Sequence, residues 1–164
     1  MTNLSAKQRV EHYYDRVPDN WYVEPREASR QLFAPEKFMG PIHDPCCGSG
    51  RIVTEARQAG YEASGAVIID RGFPGTELID FRMDRQPRVS LVYNAPYTDN
   101  EEFLAHALSV ASHDIAIFVR IQFQVGQRRY IRFYHRCPPA LVCPLSWRAD
   151  CPPGGVDMPP GRIK

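Results

Sequence analysis

The chain has no apolar run long enough to cross a bilayer, and Met1-Thr-Asn-Leu-Ser-Ala-Lys7 has no apolar core of a secretory leader. No membrane partner is therefore expected, and the location expected is cytoplasmic. Charge of one sign is also lacking. A formal net charge of +1 gives no general attraction to nucleic acid. Lysine is scarce, with 3 Lys against 17 Arg, and arginine suits bidentate contact with phosphate or base edges as well as surface ion pairs. Five cysteines are an odd number, and Cys46 and Cys47 are adjacent, which argues against a disulfide framework. Cys137, Cys143 and Cys151, with His135, lack the tight spacing of structural zinc sites, so no metal is expected. There is no internal repeat.

What is present alternates between two periods. A polar stretch holds a helix-like segment at Ala6–Tyr14, then an extended Trp21–Pro25, then a helix to about Phe33. Strands are predicted to end at Asp44, over Gly65–Asp70, weakly at Glu77–Asp80, over Val89–Tyr93 and over Asp114–Val119. Between them fall helices Arg51–Ala59 and Asn100–Ser112, followed by a basic helix Gln127–His135 and a short strand Ala140–Cys143. Strands alternating with helices predict an α/β fold with a doubly wound, mostly parallel sheet. At 164 residues this is one domain over residues 21–148, with an extension at 1–20 and an unstructured Pro/Gly-rich tail at 149–164.

Two loops carry the chemistry. Asp44-Pro-Cys-Cys-Gly-Ser-Gly50 joins a strand to a helix, where Gly48 and Gly50 allow backbone to approach a ligand. Glycine-rich loops also serve close packing alone. Asp70 has the place of a ribose-hydroxyl acceptor, about twenty residues on. Asp80 and Phe81 could offer an adenine an acceptor and a ring face, or Phe81 is core. Asn94-Ala-Pro-Tyr97 ends a strand in a proline-stiffened turn. Its carbonyls can accept from an NH₂ group, and Tyr97 can stack on a planar base. The alternative is a helix-capping turn with Tyr97 packed on the core.

Together these segments resemble the S-adenosylmethionine-dependent DNA adenine-N6 methyltransferases, particularly small phage-type members. The likeness runs from about Trp21 to Trp147, with Asn94-Ala-Pro-Tyr97 in the place of the family's Asn-Pro-Pro-Tyr motif and Tyr22-Val-Glu-Pro25 like its upstream cofactor segment. Ile69–Gly72, Asp80-Phe81 and Gly126–Tyr130 are similar to further segments of the phage proteins. The resemblance implies a class I methyltransferase-like (Rossmann-like) fold. It assigns S-adenosylmethionine contacts to Tyr22, Asp44, Cys46, Gly48, Gly50, Asp70, Asp80 and Phe81. Catalysis would fall to Asn94, Ala95, Pro96 and Tyr97, acting on an adenine flipped out of DNA.

Two departures from that family stand out. Ala95 replaces the first proline of the motif, removing one φ restraint while keeping the backbone carbonyl. The usual closing antiparallel hairpin has no convincing counterpart after Cys143, which leaves a sheet edge open to association. Arg120, Arg128, Arg129, Arg132 and Arg136, with His135, are phosphate-contact candidates or a basic face paired with acids. Two alternatives remain beside the DNA reading: an RNA base or a protein glutamine amide as acceptor, and a non-catalytic methyltransferase-like binding module. A nicotinamide dehydrogenase fits less well, because the loop lacks Gly-x-Gly-x-x-Gly.

Overall fold

The computed structural model describes residues 21–152 and 154. The helix-like segment expected at Ala6–Tyr14 lies outside them. Five strands, β1 Ile42–Asp44, β2 Ala63–Val67, β3 Glu77–Leu78, β4 Ser90–Tyr93 and β5 Ile115–Ile117, form one sheet in the order β3-β2-β1-β4-β5. Every pairing is parallel. The chain winds outward from β1 through β2 to β3, then returns to β4 on the other side of β1. The sequence direction thus reverses between β1 and β4, and in such sheets ligands bind outside the strand ends at this reversal.

Both faces of the central strands β1 and β4 are covered, and every residue of these two is buried, whereas the edge strands β3 and β5 are only partly covered. On one face α1 (Arg26–Phe33) and α2 (Arg51–Gln58) close a core of Phe33, Ile42, Ile52, Ala56 and Val92. On the other, α3 (Asn100–Val110) and a 3₁₀ turn at Phe81–Met83 pack on Leu91, Tyr93, Ala95, Phe103 and Ala107. β4 divides its side chains between these cores, Leu91 and Tyr93 to one and Val92 to the other, as the two-residue strand period requires. Glu55 of α2, buried with a side chain 2% exposed, joins the two helices by accepting from Arg26 Nη1 at 3.1 Å and Arg30 Nε at 2.8 Å.

The sequence-based expectations need correction at four places. β2 stops at Val67, because the chain turns at Ile68–Asp70 instead of continuing the strand. The basic helix is split into α4 (Gln127–Arg129) and a π-helical turn at Tyr130–Tyr134. Ala140–Cys143 is irregular and exposed rather than a strand, so among the described residues no strand lies beyond β5. The beginning of the tail, expected to be unstructured, is docked. Val23 N donates to Pro152 O, Gly154 N donates to Trp21 O, both at 3.3 Å, and Pro152 is buried. Two prolines restrict the tail's own conformations, which makes that docking less costly in entropy.

Among the described residues no helix is long and apolar enough to cross a membrane.

Candidate functional site

β1 and β4 are neighbours, so the loops that follow them open into one cleft. Tyr22, Glu24, Cys46, Ser49, Asn94 and Pro96 line it, and Ile68, Ile69 and Arg71 close it from the β2 side. The loop after β1 is shaped by two left-handed glycines, Gly48 at φ 52° and Gly50 at φ 74°. Gly50 also meets a steric demand. A Cβ there would lie 2.3 Å from the Phe73 ring, which packs over the loop. α2 begins at the next residue, and its first side chain, Arg51, reaches back so that Nη1 donates to Glu24 O at 3.1 Å.

Asn94 is held in one orientation. Its Nδ2 donates to Tyr22 O and to Glu24 Oε2, each at 3.0 Å, while its Oδ1 is buried with no hydrogen-bond partner. A buried polar atom without a partner costs about 1–3 kcal/mol, so this oxygen is a strong acceptor waiting for a donor. Trp21 Nε1 is a second such atom, beside Gly48. The cleft is also acidic at depth. Burial pushes the Glu24 carboxyl up, and burial together with the nearby Glu24 pushes Asp44 well above the usual carboxylate range. Asp44 Oδ1 accepts from Cys46 N at 3.1 Å.

Both cysteines of the loop are held as thiols. Burial, with the charges of Asp44 and Glu24, pushes the Cys46 thiol far up, and Cys47 rises to about 12. Ser49 has no histidine among the residues lining the cleft. Among the described residues no cluster of three or more His, Cys, Asp or Glu could hold a metal ion.

Of the expected site residues, Tyr22, Cys46, Asn94 and Pro96 line the cleft, and Gly48 lies beside Trp21, which also lines it. Tyr97 stacks on Tyr22 with centroids 5.9 Å apart, and the Arg120 guanidinium lies 4.3 Å from the Tyr97 ring centroid. Ala95 is buried in the α3-side core. Other expected positions are not among the residues that line the cleft, although Asp70 lies between two that do, Ile69 and Arg71. Phe81 is 2% exposed and packs on Tyr93, Phe103 and His106, so it is core. Asp80 caps the 3₁₀ turn and binds Arg82, Nη2 to Oδ2 at 2.6 Å. Asp70 is exposed past the end of β2, where its Oδ1 accepts from Gly72 N at 2.8 Å. Arg128, Arg129 and Arg132 converge on one carboxylate, Glu101 of α3, at 3.2–3.3 Å. Three guanidiniums on one acid fit a basic face with a local counter-charge.

Sequence reading passed over Glu24 and Trp21. A carboxylate immediately before a helix-starting proline reads as a solvated helix-start acid. Only its burial against Asn94 distinguishes it.

The sheet order, the glycine loop and the polar loop after β4 define a class: a Rossmann-like α/β fold of the methyltransferase type. The solved structures bear this out. The chain is similar to a crystal structure described as that of a "putative RNA methyltransferase" from Pyrococcus horikoshii, with TM-score 0.53, 14% identity and 71% of each chain covered. At that identity the likeness is one of fold. No family model and no curated protein matches the sequence.

Proposed function

We propose that this protein is an S-adenosylmethionine-dependent methyltransferase whose acceptor is an exocyclic amino group, that of adenine N6 in DNA. The observation that carries the reading is Asn94 Oδ1, a buried acceptor with no partner on a residue that lines a strand-end cleft. An amino group satisfies it by donating one N–H. That hydrogen bond, with the neighbouring backbone carbonyls, orients the nitrogen and keeps its electron pair available for attack.

The donor set fits the cofactor. Asp44, costly as a buried anion, suits a molecule carrying sulfonium and ammonium charges. Trp21 Nε1 is an unused donor beside the glycine loop, suited to a carboxylate. When bound, S-adenosylmethionine supplies an electrophilic methyl carbon. Tyr97 offers the ring face for a base, which takes the place of the Arg120 guanidinium, and Arg120 is then released towards phosphate. Flipping the base costs a few kcal/mol, offset by that stacking and by the Asn94 bond.

The test is transfer of a labelled methyl group to unmethylated DNA, to RNA and to protein, each digested and separated. Label in N6-methyldeoxyadenosine, lost in Asn94→Ala with cofactor affinity within about fivefold of wild type, supports the reading. Label only in RNA, whose methylation the structural neighbour's description names, would change the acceptor and keep the chemistry. Cofactor binding without transfer to any acceptor would leave a methyltransferase-like binding module.

A further inference from the structure

Glu24, 6% exposed, lines the cleft, and its Oε2 accepts from Asn94 Nδ2. The other hydrogen of that amide goes to Tyr22 O. Both acceptors belong to one extended segment, Tyr22–Glu24, whose backbone is tied to α2 through Arg51 Nη1 and to the docked tail through Val23 N. Rotating the amide by half a turn would set Asn94 Oδ1 3.0 Å from two oxygens and leave the NH₂ in the place of the unpartnered oxygen. Carbonyl and carboxylate repel that arrangement, so the amide has one polarity.

We propose that Glu24 is the positioning residue that fixes this polarity, so that the cleft offers an acceptor and admits substrates through an N–H donor rather than through a ring nitrogen or carbonyl oxygen. The consequence for turnover rests on the methyl-transfer reading; the consequence for Asn94 rests on geometry alone. Glu24 does not touch the reacting atoms. It acts through Asn94, and it excludes acceptor-only groups because a buried acceptor facing another acceptor leaves both unpaired.

Two measurements test it, and the first does not depend on activity. In ¹⁵N spectra the Asn94 side-chain NH₂ pair, identified by its loss in Asn94→Asp, should exchange slowly with solvent and shift with pH as Glu24 titrates. Asp44, Cys46, Cys47, Cys151, Arg26 and Arg51 also face Glu24, so the step is assigned by substitution. It should vanish in Glu24→Gln and persist in Asp44→Asn. Fast exchange of the pair in wild type, or a step that survives Glu24→Gln, overturns the proposal.

The second measurement is turnover. Glu24→Met keeps length and removes the acceptor, and kcat should fall about 100-fold with KM and the Kd for S-adenosylhomocysteine within a few-fold. Glu24→Gln keeps an acceptor oxygen and should recover kcat to within about tenfold of wild type. Equal loss in both variants, or none in Glu24→Met, overturns it. If Glu24→Met does not fold, the wild-type and Glu24→Gln spectra decide. If wild type methylates nothing, the methyl-transfer reading fails and the spectra still judge the Glu24–Asn94 link.

Discussion

His43 shows how one side chain can tie the sheet to pH. It sits on β1 with Nδ1 2.8 Å from Ser64 Oγ, and its Nε2 is buried with no partner. Burial, reinforced by the Arg88 charge, lowers its pKa from 6.5 to about 4, so the folded protein holds it neutral. Between those values the unfolded chain binds a proton that the folded one refuses. The stabilisation is fully present above pH 6.5 and is lost as pH falls towards 4. The loss is about 3 kcal/mol over that window. Urea unfolding at several pH values checks it: wild type should weaken steadily from pH 6.5 to 4, and His43→Gln should show a flatter limb. Equal slopes would mean that His43 is solvated in the native state. At the same scale Glu24 and Asn94 illustrate a different use of burial, in which hydrogen bonds select which end of an amide meets the ligand.

At the scale of elements the glycine loop is the site's frame. Gly50 ends β1's loop and starts α2, with a left-handed backbone and the Phe73 ring against the position of a Cβ. Gly60, after α2, has a left-handed φ of 94° too, but open space around it. Gly60→Ala therefore carries only backbone strain, about 1–3 kcal/mol, whereas Gly50→Ala adds displacement of Phe73. Thermal unfolding should rank Gly50→Ala as the more destabilising, and only that variant should weaken binding of S-adenosylhomocysteine. Equal effects would mean that Phe73 moves aside freely. The resemblance of this loop to a methyltransferase motif was legible because glycine spacing is a local, backbone-level requirement. The packing of Phe81 and the end of β2 were not, because where a strand stops depends on its neighbours in the sheet. β2 stops at Val67 rather than at Asp70.

For the whole molecule, the joining of the two ends of the described chain matters most. Residues 152 and 154 hydrogen-bond the Trp21–Val23 segment. The segment that orients Asn94 is thus backed by the tail. Truncation after Asp150 should lower stability by about 1–2 kcal/mol and speed hydrogen exchange at the Val23 amide, with the amides of β4 unchanged. Unchanged exchange at Val23 would show that the tail contributes nothing to holding that segment.

The sequence by itself determined the order of the five strands and of α1 to α3, and the two loops that follow β1 and β4. Those depend on period, turn residues and short motifs, which are contiguous in the chain. Tertiary structure alone decided that Glu24 and Tyr22 grip Asn94 across about seventy residues, that three arginines share Glu101, and that the tail closes on Trp21–Val23. Such contacts depend on which buried polar atoms find partners once the sheet is assembled. No local pattern records that outcome.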